Sequence, residues 1–315
     1  DIEYVQLLLG LNNNGINIKN NYGNTALILA IYYRRYEIVD RLILYGADIF
    51  VKNNLNLKPL FIACLIENNK NIIKILLDEG ASINETFDSN SYYTPLMQSI
   101  KINHINNVKT LLKYKNKDGE KPININYMNN SNKSALLIAC EFGNIEILRL
   151  LLNYTDKYGE KIADLNIEDN EGNSPLLFAL MLENNNDMID LLLTHGSDIY
   201  YKNKYGDSIL STIIIKSDKL KLKPDKIVDT FLNLGYSDLN SVNKDGNTAL
   251  ILAVNYKYNN LVKKLLEIQS VNVNLQNNNN GDSALILAIK LKNDDIVKKL
   301  LKRDDIDVNL QNNNK

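Results

Sequence analysis

Few residues in this chain are suited to chemistry, and those few stand apart from one another. His104 and His195 are the only histidines, and neither belongs to a group of Cys, Asp or Glu spaced like metal ligands or an acid–base pair. His195 precedes Gly196, where an imidazole closes a helix end, and His104 falls in a polar break and reads the same way. Cys64 and Cys140 directly follow Ala63 and Ala139, in a slot that Ile31 and Ile289 fill elsewhere. A position shared with isoleucine is a buried apolar one, not a nucleophile's. The acidic pairs Asp294–Asp295 and Asp304–Asp305 lie in polar breaks, where nothing would shift a carboxyl pKa for general acid–base work. No glycine-rich phosphate loop, calcium loop or zinc-binding HExxH helix is written here. These residues predict no catalytic group, no cofactor and no metal, and hence not an enzyme.

What the chain does contain is repetition. Asn24–Ile31 reads NTALILAI, Asn247–Val254 reads NTALILAV and Ser283–Ile289 reads SALILAI. A phrase that returns is a building unit, not a catalytic site. Aligned on the residue before the apolar run, the anchors are Thr25, Lys58, Thr94, Ser134, Ser174, Ser208, Thr248 and Ser283, at spacings of 33, 36, 40, 40, 34, 40 and 35. Two residues after every anchor stands a leucine: Leu27, Leu60, Leu96, Leu136, Leu176, Leu210, Leu250 and Leu285.

Each unit reads as turn, helix, loop, helix. A Ser or Thr hydroxyl accepts an orphan N–H at a helix start, and Pro59, Pro95 and Pro175 occupy the first helical position, where a missing N–H costs nothing. Ile72, Ile73, Leu76 and Leu77, like Ile296, Val297, Leu300 and Leu301, form one apolar stripe on a second helix. Gly46, Gly80, Gly196 and Gly235 follow second helices, where a left-handed residue is wanted. Gly23, Gly172, Gly206, Gly246 and Gly281 precede anchors in stretches such as NNYGN and NKDGN that read as tight turns. One helix pair cannot bury both of its apolar faces; stacking neighbours does, which predicts an all-α solenoid.

The totals are consistent with that reading. Apolar residues make up 45% and charged residues 23% of 315, and the formal net charge is −1, so no basic field attracts nucleic acid or an anionic membrane. The longest apolar runs, such as Ala26–Tyr33, fall far below the ~20 residues of a membrane helix, so no membrane insertion is expected. Two cysteines make neither a disulfide framework nor a structural zinc site and favour a reducing, intracellular (cytoplasmic) compartment. Asn is abundant, Tyr numbers 18 and Trp is absent, a pattern that A/T-rich codons explain more simply than a prion-like role does.

The unit resembles the ankyrin repeat, whose pattern runs Gly-x-Thr-Pro-Leu-His-x-Ala and later Leu-Leu-x-x-Gly-Ala-Asp. Gly23-Asn-Thr-Ala-Leu-Ile-Leu-Ala30, Leu44-Tyr-Gly-Ala-Asp48, Gly172-Asn-Ser-Pro-Leu-Leu-Phe-Ala179 and Thr194-His-Gly-Ser-Asp198 carry the likeness. It extends over the whole chain and implies a single ankyrin-repeat array over 1–315. That array has a partial repeat at 1–19, repeats beginning near 20, 53, 89, 129, 169, 203, 243 and 278, and hairpin-like turns between them. The sequence departs from the family at the histidine after the leucine. Ile28, Phe61, Met97, Leu137, Leu177, Ser211, Ile251 and Ile286 stand there, exchanging a polar bridge between hairpin and helix for apolar packing.

Three repeats are long. Lys117–Lys121 and Lys157–Lys161 read as matching turns added after second helices, and Lys216–Lys226 (KSDKLKLKPDK) as a solvated insertion between helices. Asp1–Leu9 resembles Asn144–Leu152, a second helix without its first, and Val308–Lys315 resembles Val273–Asn280, the lead into a further repeat. Both ends are therefore expected to belong to a longer array, or to stack end to end on other copies.

Function then falls to the surface. The resemblance places partner binding in a concave groove lined by residues beside the turn and by the last residues of the first helix. In this chain those are Tyr22, Asn24, Tyr32 and Tyr33 in the first full repeat, and Leu55, Leu57, Leu65 and Ile66 in the next. Tyr93, Lys133, Glu141, Phe142, Glu171 and Asn173 follow, then Tyr205, Asp207, Asn255 and Tyr256. Tyrosine recurs among them, a large stiff side chain with one polar end that suits an interface. The mixed charge of the set argues against a nucleic-acid track. The expectation is a scaffold that binds another protein. The alternatives are a self-associating structural solenoid, or the non-catalytic repeat region of a larger enzyme or effector.

Overall fold

The computed structural model describes residues 15–86, 92–156, 158–182, 185–220 and 223–314. Most of the partial repeat at 1–19, the start of the repeat near 89, Lys157 and residues 221–222 of the lysine-rich insertion lie outside the described residues. Among the described residues there are sixteen helices and no strand, and extended pairing is limited to isolated bridges such as Thr155 with Lys161.

The chain divides into two compact units, Asp1–Asn170 and Glu171–Lys315. In the first, the helices are α1 (Ala26–Tyr32), α2 (Tyr36–Leu44), α3 (Pro59–Leu65), α4 (Lys70–Asp78), α5 (Pro95–Lys101), α6 (Ile105–Lys113), α7 (Ala135–Glu141) and α8 (Ile145–Leu152). In the second they are α9 (Pro175–Met181), α10 (Asn186–Thr194), α11 (Ile209–Leu220), α12 (Pro224–Asn233), α13 (Ala249–Asn255), α14 (Asn259–Glu267), α15 (Ala284–Lys290) and α16 (Asp294–Leu300). Within each unit the first helices pack on the first helices of the next repeat, and second helices likewise (α1 on α3 on α5 on α7; α11 on α13 on α15).

Each seven-residue first helix is too short to persist alone, so its start is fixed chemically and its sides are buried. The anchor hydroxyls of Thr25, Thr94, Ser134, Ser174, Ser208, Thr248 and Ser283 accept the N–H three residues on at 3.1–3.4 Å. Lys58 makes no such cap; Pro59 removes one donor there, and the Lys58 ammonium pairs with Glu85 instead. The slot that holds histidine in the resembled pattern is buried at Ile28, Phe61, Met97, Leu137, Leu177, Ser211 and Ile251, so apolar packing does replace the polar bridge at most of these positions.

The turns share one conformation whatever residue fills them. Gly23, Gly172, Gly206, Gly246 and Gly281 have φ of +67° to +78°, and Asn56, Tyr92 and Asn132 take the same left-handed region where glycine is missing. The glycines also make room for the next hairpin: a Cβ on Gly246 would sit 2.6 Å from the backbone N of Asn278. A second left-handed slot follows the first helix and holds Gly143 in one repeat but Arg34, Asn103, Lys257 and Lys292 in others.

Asparagine does much of the remaining work. Asn20, Asn53, Asn129, Asn203 and Asn243 each accept two backbone N–H groups of their own hairpin with one side-chain oxygen. Asn54, Asn170 and Asn278 donate their backbone N–H to the preceding hairpin, on Tyr22, Ser131 and Asp245, and their side-chain amides to the carbonyls one residue earlier. A third set joins the loops after the second helices. The Asn274 amide donates to the Asp305 carbonyl at 2.7 Å and accepts the Asp307 N–H at 2.9 Å, and Asn84 and Asn240 bridge to their next repeats in the same way. Asn107 is fully buried, donating to the Cys64 and Ile66 carbonyls and accepting from the Asn69 N–H at 3.1 Å.

Three expectations need correction. The lysine-rich stretch is not a solvated loop where it is described: it lengthens α11 to twelve residues. Ser217 is buried there, Lys216 donates to the Glu171 carbonyl at 2.8 Å, and Asp218 accepts the Tyr258 hydroxyl at 2.8 Å. His104 stands at the start of α6, not at a helix end, and forms no cap; its Nδ1 is buried without a partner. The stripe of α16 is covered on one side only, with Ile296 and Leu300 buried and Leu301 half exposed. The matching turns do form, closed by Asn116 N–H to Glu120 O and Asp156 N–H to Glu160 O, both 2.9 Å. His195 does cap α10, its Nδ1 2.8 Å from the Leu191 carbonyl.

Urea denaturation checks two consequences. Gly246→Ala combines a clash with a left-handed φ and should cost more than about 1–2 kcal/mol, whereas Lys292→Gly should gain roughly 0.5–1 kcal/mol after the loss of chain entropy is deducted. Asn107→Ala strands buried carbonyls and should cost roughly 2–4 kcal/mol, against about 1 kcal/mol for Asn274→Ala, whose partners are exposed to water.

Candidate functional site

In each of the two units the candidate site is the face made by the hairpin tips and the ends of that unit's first helices. Side-chain pairs show that these two features adjoin. The residue before the anchor meets the last residue of its first helix: Lys133 pairs with Glu141 at 2.6 Å, Asp282 with Lys290 at 2.7 Å, and the Lys101 ammonium lies 5.0 Å from the Tyr93 ring centroid. This eight-residue coupling, with its charges exchanged between repeats, is readable in the sequence once the anchors are aligned.

The expected site residues separate into two groups. Those just before the anchor serve the fold. Leu57 is buried and offers a partner almost no area, a correction to its place among the binding residues. Asn173 is likewise buried and accepts from Lys216 at 2.5 Å. Asn24 accepts from Asn53 at 3.1 Å and Asp207 from Asn243 at 2.8 Å, both inside the hairpin ladder. Lys133 is held by Glu141 and lies 3.8 Å from buried Asp169. Tyr93 is half-buried; burial, and then the Glu141 charge, push its hydroxyl pKa up.

Positions at the tip and just past the helix are open. Tyr22 is 74% exposed, Tyr33 73% and Leu55 70%. Tyr32, Phe142, Tyr205, Glu171 and Asn255 are exposed too, while Leu65, Ile66 and Tyr256 are half-buried. Tyr256 stacks on Tyr258 at 6.2 Å, and Glu171 lies 3.6 Å from Lys219. Arg34 and Arg35, exposed immediately after Tyr33, belong to the same surface and were not expected; the left-handed φ that marks Arg34 has no sequence signal when glycine is absent.

A family model described as ankyrin repeats (3 copies) matches residues 1–53, 36–123, 118–203 and 220–312. The chain belongs to the ankyrin repeat family. Ankyrin repeats are in general protein–protein interaction modules and are typically non-catalytic. No curated protein matches the chain.

Among the described residues no group of three His, Cys, Asp or Glu is placed to hold a metal ion, and no helix is long and apolar enough to cross a membrane. Cys64 and Cys140 are fully buried, as their slot predicts, and burial pushes the Cys64 thiol up to about 12 and raises that of Cys140 as well. A raised folded-state pKa favours the protonated thiol in the fold. Its contribution to stability is complete below the ordinary value of 9.0 and is lost as pH rises from there towards about 12. Denaturation midpoints should therefore begin to fall near pH 9. The Cys64→Ala/Cys140→Ala variant should lack that early fall, and in the native protein neither thiol should react with a thiol reagent until the array unfolds.

Proposed function

We propose that this chain is a non-catalytic scaffold that binds another protein through the groove formed by its hairpin tips and first-helix ends. One observation carries the reading: large apolar side chains, Tyr22, Tyr33, Leu55 and Phe142 among them, are left in water on that face, while the fold's own needs are met by the positions beside them. Aromatic side chains at an exposed, rigidly supported surface are what hot spots are made of. The mixed, self-paired charge favours a protein over nucleic acid.

A photo-crosslinking amino acid placed at Tyr33 or Phe142, on the face, should give a discrete adduct with one protein that unlabelled chain competes away. The same probe at Leu44 or Tyr158, exposed but away from the tips and first-helix ends, should give none. Adducts from Leu44 or Tyr158 alone would overturn the reading. Self-association is a second reading, favoured by the exposed apolar side chains of Ile289 in α15 and Leu301 just after α16. Light scattering that shows mass rising with concentration, and Leu301→Lys abolishing the rise, would bring it forward.

A further inference from the structure

We propose that the aromatic end of this face in the first unit docks a partner segment carrying a carboxylate beside apolar side chains. The proposal rests on the groove reading above and gives it a chemistry. Elsewhere in the first unit, three lysines on the face are already engaged by the chain itself. Lys58 is paired with Glu85, Lys133 stands between Glu141 and Asp169, and Lys101 covers the Tyr93 ring. Arg34 and Arg35 are different. Both are exposed, and neither guanidinium has an ion-pair or hydrogen-bond partner among the described residues, although Glu37 stands two residues from Arg35 in sequence.

The conformation of Arg34 sharpens the point. Its φ is +56°, in the left-handed region, where a side chain other than glycine costs about 1–2 kcal/mol. Gly143 fills the same slot between α7 and α8, so the turn itself does not ask for arginine. A cation there also faces the carbonyl end of the preceding helix, which Lys257 and Lys292 share. Particular to the first repeat is the company: a second arginine, two exposed tyrosines directly before it, and the paired tips of Tyr22 and Leu55, brought side by side by the Asn54 N–H donating to the Tyr22 carbonyl at 3.1 Å. Unpaired guanidinium groups that follow exposed tyrosines directly in the chain match a carboxylate set among apolar side chains, because the planar fork takes both carboxylate oxygens and stacks on aromatic faces.

The test is a random-peptide display library selected on the full chain, with the enriched peptides titrated by fluorescence anisotropy over a range of salt. Enriched peptides should carry Asp or Glu next to aromatic or aliphatic residues, and added salt should weaken them. Arg34→Gly should weaken binding by about tenfold and flatten the salt dependence while leaving the urea midpoint unchanged or higher, so unfolding is not the cause. Tyr33→Ala should weaken binding with the salt dependence kept, and Lys257→Gly should change nothing. Enrichment of neutral or basic peptides, no enrichment at all, or indifference to Arg34→Gly would each overturn the proposal. Selected peptides that crosslink to Phe142 or Tyr205 and not to Tyr33 would leave the groove reading standing and this one refuted; peptides that reach none of these positions would refute both.

Discussion

A helix of seven residues has no standing of its own. It closes too few hydrogen bonds to repay its nucleation, and everything else in this protein follows from that deficit. The first helix of each repeat persists because a hydroxyl or a proline sets its start and because Leu27, Leu96, Leu136, Leu250 and their equivalents are buried between neighbours. No repeat is stable alone, so sequence variation is tolerated only where it spares the surfaces between repeats. Insertions obey the same rule. Two are parked after second helices as closed turns, and the third extends α11 along the neighbours it touches.

The joints between repeats show how a polar side chain can act as backbone. An asparagine amide offers a donor and an acceptor in one plane, much as a peptide group does. At Asn84, Asn240 and Asn274 both are used, on a carbonyl and an N–H two residues apart in the next repeat. Aspartate would lose the donor, and glutamine would spend more rotamer freedom to reach the same place. The hairpin tips use the amide differently, as an acceptor for two N–H groups that a strand partner would otherwise satisfy. Among the described residues, which form no sheet, side chains thus meet much of the hairpins' hydrogen-bonding demand.

The tip face divides its labour along the chain. The residue before each anchor is drawn into the fold by the helix that follows it, whether through Lys133 with Glu141 or Asp282 with Lys290. Two residues earlier, at the tip, the chain turns away and leaves Tyr22, Leu55 and Tyr205 in solvent. Buried and exposed residues thereby alternate at a spacing of two, so the exposed set is free to vary without disturbing the stack.

The sequence by itself determined the repeat, its helix starts and its core. Recurrent leucines, capping hydroxyls and turn glycines are local signals, and each acts through its own few residues. It also determined that Cys64 and Cys140 are packing residues, because the slot they share with isoleucine is periodic. Only the tertiary structure decided which groove positions are open. Leu57 and Leu55 look alike on paper, yet one is buried and the other exposed, since exposure depends on the neighbouring repeat and not on the residue. The same holds for the asparagines, whose partners lie about a repeat away, and for Arg34, whose left-handed backbone is imposed by the path between two helices. Contacts between residues some 30 to 40 positions apart leave no short-range pattern to read, and it is those contacts that decide which side chains the stack buries and which it leaves exposed.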